Sequence, residues 1–226
     1  DTHALYNTIY CFESLENPDG AIEFLNEFLE ADPFSEIAWH QLGRQYANKG
    51  LLKQALSSYD FAVICDNEFI GAYYEKGKTL QKMKRYNEAI LVYETTLSID
   101  EPTAFALLHI GQCHISLGNT KLAIDYFKRT LIEDPLYEKA WIGLIDAHFV
   151  DKEFEKALYY AKKSIKIDNA NVAIWKRYAE INLSLGLLGE ADFGYKECVN
   201  LGNYEVETWV KWADVHKEMD DYPRAL

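Results

Sequence analysis

The sequence predicts an all-α fold, a linear array of helix pairs, and three observations carry that reading. Alanine recurs on one lattice of period 34, at Ala21, Ala55, Ala89, Ala123, Ala157, Ala191 and Ala225. A large apolar residue keeps the same interval, at Leu5, Trp39, Tyr73, Leu107, Trp141, Trp175 and Trp209. Within a period, Trp39, Leu42, Gly43 and Tyr46 fall at i, i+3, i+4 and i+7, which is one face of a helix; Ala55, Tyr59 and Ala62 share a face of a second. A fixed period of this length is the mark of stacked supersecondary units that bury their apolar faces on one another.

The elements follow in order. Each first helix carries a small residue in its middle, at Gly43, Gly77 and Gly111, then Ile145, Ala179 and Ala213. Each second helix carries an aromatic or small partner, at Tyr59, Tyr93, Phe127, Ala161 and Tyr195. Gly50, Gly118 and Gly186 stop the first helices, because glycine takes the left-handed conformation at low cost. Pro33 and Pro135 separate successive pairs, and Asn67, Asn169 and Asn203 occupy one turn position, which suits residues that tolerate left-handed backbone. About thirteen helices result, with Trp39, Trp141 and Trp175 buried between them.

Trp39-x2-Leu42-Gly43-x2-Tyr46, followed by Ala55-x3-Tyr59 and Ala62, resembles the tetratricopeptide repeat. The likeness covers residues 1–226 as a single array: repeats near 2–35, 36–69, 70–103, 104–137, 138–171 and 172–205, then a truncated seventh at 206–226. It implies a right-handed superhelical solenoid of antiparallel helix pairs whose first helices line a concave groove. Departures from the pattern are informative. The first repeat has Ile9 and Phe28 at small-residue positions, and the third has Lys76 at the Leu position. The fifth has Ile145 for Gly and Ala161 for Tyr, opposite changes in volume that compensate within one layer of core.

Composition narrows the function. At 49% apolar residues the chain can bury a sizeable core, and no apolar run approaches the ~20 residues of a membrane span. The N-terminus has no secretory signal pattern, and the acidic balance of the chain opposes an anionic membrane, so no membrane partner is expected. Cys11, Cys65, Cys113 and Cys198 form no CxxC pair, which favours a reducing, cytoplasmic setting over a disulfide framework. A net charge of −13 opposes nucleic acid as a partner. His109, Cys113 and His114 lie close in sequence, but only two soft ligands share a face and His114 holds a core position, so no metal or other cofactor is expected. No phosphate loop, HExxH or nucleophile elbow occurs, and no nucleophile, base and oxyanion donor assemble, so no catalytic residue is assigned.

The groove that the resemblance implies is the remaining candidate site. Its expected lining is His40 and Arg44 from the second repeat, Tyr74, Lys78 and Lys82 from the third, Leu108, His109, Gln112 and Ile115 from the fourth, and Ile142 and Phe149 from the fifth. A basic stretch thus leads into an apolar floor, which points to a protein or peptide with acidic and apolar residues. Tetratricopeptide proteins that hold acidic chaperone tails use Lys and Asn at set groove positions; here those places hold His40, Arg44, Glu75, Phe105 and His109, so that ligand is not expected. The function read from the chain is a non-catalytic protein-interaction scaffold. The rivals are a substrate-recruiting arm of a larger enzyme and a self-associating module, the latter pairing as a weak homodimer through residues 206–226.

Overall fold

The computed structural model describes residues 2–101 and 103–219, and every regular element among them is a helix: α1 (Thr2–Ser14), α2 (Pro18–Ala31), α3 (Glu36–Asn48), α4 (Leu52–Cys65), α5 (Ile70–Lys82), α6 (Tyr86–Ile99), α7 (Ala104–Ser116), α8 (Thr120–Glu133), α9 (Glu138–Val150), α10 (Phe154–Ile167), α11 (Val172–Ser184), α12 (Leu188–Asn200) and α13 (Val206–Glu218). The seven first helices begin at residues 2, 36, 70, 104, 138, 172 and 206, so the period of the sequence is the period of the fold. The second half of the seventh repeat, with Ala225, lies outside the described residues. The chain divides into two compact units, Asp1–Cys113 and His114–Leu226, the boundary falling inside α7.

In the first unit, α3 packs on α4 and α5 on α6, and α4 and α5 join one pair to the next. The lattice residues make these contacts. Ala55, Ala89, Tyr59 and Tyr93 are fully buried. A Cβ placed on Gly43 would lie 2.4 Å from the Tyr59 ring, and one on Gly77 would lie 2.5 Å from that of Tyr93. Glycine is therefore required where the aromatic of the second helix crosses the first. Ile9 is buried with Leu5, Leu25, Leu29, Ala38 and Leu42, and Phe28 packs on that cluster.

In the second unit the same layers are filled differently. Ile145 and Ala161 sit together in one buried cluster with Trp141, Trp175 and Tyr178, as membership of one core layer requires. Where Ala179 replaces the glycine, the room comes from Gly194 on α12, whose added Cβ would lie 2.9 Å from the Ala179 methyl. The indoles of Trp141 and Trp175 are buried and donate to the carbonyls of Pro135 and Asn169 at 2.9 and 2.8 Å. Trp39 makes the same bond to Pro33 at 2.9 Å, but it is only partly buried, stacked on Phe61 at 4.6 Å, contrary to expectation.

The turns correct a second expectation. Asn67, Asn169 and Asn203 do not adopt left-handed backbone. Asn67 and Asn169 instead offer carbonyls to Tyr73 and Trp175, while the Asn203 side chain accepts from the Glu205 N–H. Left-handed residues occur at every turn inside a repeat: Glu16, Gly50, Lys84, Gly118, Lys152 and Gly186. Each is followed by an N–H that bonds back five residues to close the helix, as in Leu51 to Tyr46, Arg85 to Leu80 and Glu153 to His148, all at 2.9 Å. The turn geometry holds whether or not the residue is glycine.

Candidate functional site

The first-helix face of the first unit is built by α3, α5 and α7, which present equivalent positions one turn apart. His40 lies edge-on to Phe69 at 5.1 Å and 6.0 Å from the Tyr59 ring, and neither ring nitrogen has a hydrogen-bond partner. Burial, with Arg44 beside it, lowers its pKa to about 4, so the ring is neutral near pH 7. Arg44 donates to Gln41 at 3.0 Å and overlooks a hollow rimmed by Glu13, Glu16 and Asn48. Lys78 is ion-paired to Glu75 at 2.8 Å yet keeps 41% of its side chain exposed; Lys82 is exposed. Tyr74 shares a 2.6 Å hydrogen bond with Thr103 and packs on Phe105 at 4.5 Å. His109 stacks on Tyr93 at 5.4 Å and against Phe105 at 4.4 Å, and Gln112 is half-buried.

Leu108 does not belong to this face. It is 1% exposed and part of the core, although its lattice equivalents His40, Tyr74 and Ile142 are only partly buried.

The apolar floor is also reduced. In the second unit Ile115 is 42% exposed, but Ile142 and Phe149 pack on the Trp141–Trp175 cluster, and Phe149 sets its ring edge against Phe154 at 5.3 Å. Ion pairs occupy the rest of that face, and they escaped the sequence reading. Arg177 on α11 holds Asp146 on α9 through two bonds at 2.5 and 3.2 Å, and Glu180 at 3.2 Å. Lys211 on α13 reaches back to Glu180 at 2.6 Å and along its own helix to Glu207 at 2.9 Å. Lys176 pairs with Glu205 and Glu207 at 3.3 and 3.2 Å. The signal was present: opposite charges at a separation of 31, three short of the period, meet between successive first helices.

His114 and His148 pack on aromatic rings, and the thiols of Cys113 and Cys198 are buried. His114 stacks on Tyr126 at 5.5 Å and His148 on Tyr160 at 5.2 Å. Burial raises the Cys113 thiol to about 11 and that of Cys198 to about 12, so neither is a ready thiolate. Among the described residues no three His, Cys, Asp or Glu side chains gather as metal ligands, and no helix is long and apolar enough to cross a membrane.

Comparison with known proteins agrees with this geometry. Three family models, each described as a tetratricopeptide repeat, match residues 70–103, residues 123–172, and residues 3–35 with 105–136. Superkiller complex protein 3 of Mus musculus is 30% identical over 118 residues, 49% of this chain and 8% of that protein. Anaphase-promoting complex subunit 3 of Schizosaccharomyces pombe is 21% identical over 225 residues, 93% of this chain and 34% of that one. The chain thus spans a minor part of these relatives. Among solved structures, a tetratricopeptide repeat protein from Parabacteroides merdae superposes with a TM-score of 0.75 at 17% identity, covering 99% of this chain and 88% of its own. YrrB, described as having an unusual peptide-binding site, superposes at 0.63 with 17% identity, covering 83% and 97%. With the period, the glycine–aromatic crossings and the family models in agreement, the chain belongs to the tetratricopeptide-repeat family.

Proposed function

We propose that this chain is a non-catalytic scaffold whose first-helix face in residues 1–113 holds a protein segment bearing acidic and apolar side chains. The observation that carries the reading is a local reversal of sign. In a chain of net charge −13, α3 and α5 bring Arg44, Lys78 and Lys82 to this face with Glu75, while Glu13 and Glu16 stand at its edge beside Arg44. Tyr74, Phe105 and His109 form an aromatic floor between them. The cations steer an acidic segment and make its binding salt-sensitive, while the aromatic floor supplies the contact that survives salt. YrrB, a protein of the same fold described as having an unusual peptide-binding site, supports a peptide as the class of ligand.

The test is a pull-down with the purified chain, mapping of the captured segment on a peptide array, and titration of that peptide. Arg44→Glu with Lys78→Glu should weaken it at least about tenfold, with a shallower salt dependence. Unchanged affinity would refute the placement. A second reading is a recruiting arm of a larger assembly. It is favoured by relatives that carry the names of complex subunits and of which this chain spans a minor part.

A further inference from the structure

Repeat three differs from repeats four and five at two places that meet in space. The position of Leu42, Ile110, Leu144, Tyr178 and Trp212 is held here by Lys76. In repeats four and five a histidine stacks on a tyrosine twelve residues later, His114 on Tyr126 and His148 on Tyr160; in repeat three the corresponding pair is Leu80 and Val92. At that place an open cleft of about 540 Å³ lies between α4 and α6, floored by α5. Its size is that of a ligand pocket rather than a packing flaw. Leu56, Leu80, Met83 and Val92 make an apolar floor, and Leu91, 64% exposed, extends it at the mouth.

The rim is basic. Lys53, Lys76 and Arg85 surround the floor against two carboxylates, Asp60 and Glu88. Lys76 reaches Asp60 at 2.6 Å, and Arg85 holds Glu88 through two bonds at 2.6 Å. Both carboxylates are about half exposed, so a ligand carboxylate can exchange with them at little cost. Lys76 and Lys78, two residues apart on α5, stand roughly 200° apart around its axis, so this cleft faces away from Lys78.

The geometry points to a second docking site, on the side of the second helices of repeats two and three. Its occupant is a protein segment with one large apolar side chain beside one or two carboxylates. The apolar anchor fills the cleft, and the carboxylates take Lys53, Lys76 and Arg85. Charge complementarity selects this class in an otherwise acidic chain, and the site stands independently of the first-helix face.

The probe is an acetylated, amidated hexapeptide with Leu-Phe at its centre and two Asp on each side, titrated into the ¹⁵N-labelled full chain. Saturable amide shifts at Lys53, Lys76, Met83 and Leu91 are expected. Lys76→Leu, which restores the family's residue, should weaken binding at least about tenfold, and Lys53→Glu, on the surface and outside the core, should weaken it by a comparable factor. Arg44→Glu with Lys78→Glu should leave it within about twofold, which separates this site from the other face. The proposal is overturned by shifts centred on Arg44 and Lys78, by Lys53→Glu binding as the unaltered chain does, or by the absence of a saturable shift. It is equally overturned if inorganic phosphate moves the same amides with the same affinity, which would mark a simple anion site.

Discussion

If Ile145 and Ala161 share one volume, the same exchange made in another repeat should be tolerated only as a pair. Repeat two is the place to test it, since Gly43 and Tyr59 occupy the equivalent positions and Tyr59 is fully buried. Tyr59→Ala alone empties an aromatic site, which costs roughly 3–5 kcal/mol. Gly43→Ile alone drives a Cβ to 2.4 Å from the Tyr59 ring, with the branched side chain beyond it. Overpacking of that kind costs about 1–3 kcal/mol. Independent changes would sum to roughly 4–8 kcal/mol, whereas the pair should cost no more than about 2 kcal/mol, a coupling at or above the upper end for residues in contact. Urea unfolding followed by far-UV circular dichroism reads the difference, provided the slope is unchanged between variants. Where a single change unfolds the chain, Gly43→Ala and Tyr59→Leu form a milder cycle. Additive losses would show that the two positions do not share their space, and would remove the compensation argument for repeat five.

Lys152→Gly should raise stability by about 1 kcal/mol, because the turn holds this residue at φ 59° where a side chain is strained. An unchanged denaturation midpoint would refute it. His40, with its pKa depressed to about 4 from an ordinary 6.5, gives a pH dependence of definite sign. The unfolded chain takes up the proton first as pH falls, so His40 lowers stability between pH 6.5 and 4 and not above. Relative to the unaltered chain, His40→Phe should reduce the loss between pH 7 and 5 by about 1–2 kcal/mol, and parallel profiles would contradict this. On α13, Val206, Trp209 and Val210 are exposed, whereas Thr208, Val215 and His216 are buried and Trp212 bonds to Asp192 at 2.7 Å. The exposed strip favours weak self-association: sedimentation should show mass rising with concentration, and Trp209→Glu should abolish the rise.

The helices were legible because their packing is repeated. Alanine at a helix crossing and an aromatic beside glycine are demanded by close approach, so they recur wherever that approach does, and the period locates every first helix. The turns were only half legible. Gly50, Gly118 and Gly186 announce left-handed backbone, but Glu16, Lys84 and Lys152 adopt it under the closing hydrogen bond of the helix, which no side chain records. The candidate site was least legible, since exposure at one lattice position depends on the neighbouring helices. Leu108 and Tyr74 share a position, yet the first is core and the second bonds at its tip to Thr103. Lys76 stood out in the sequence as a misplaced charge, and its meaning needed the smaller Val92 across from it.

Charge shows why a count of residues is a poor guide to a recognition surface. In repeat three the order along the first helix is Glu75 then Lys78, and in repeat six it is Arg177 then Glu180. The reversal changes what each charge meets. Arg177 finds Asp146 on the helix before it, and Lys211 finds Glu180, so the cations of α11 and α13 are spent on carboxylates of this same chain. Partly exposed pairs of this kind contribute about 0.2–1 kcal/mol each. Their larger effect is on what remains for a ligand. In residues 114–219 a segment rich in carboxylates would have to displace Asp146, Glu180 or Glu207 from partners already in place. On α3 and α5 it meets Arg44, Lys78 and Lys82, with Glu75 paired to Lys78 and with Glu13 and Glu16 across the hollow from Arg44. The same lattice positions therefore carry ion pairs between successive first helices in residues 114–219, and in residues 1–113 they are the ones the proposed ligand would contact.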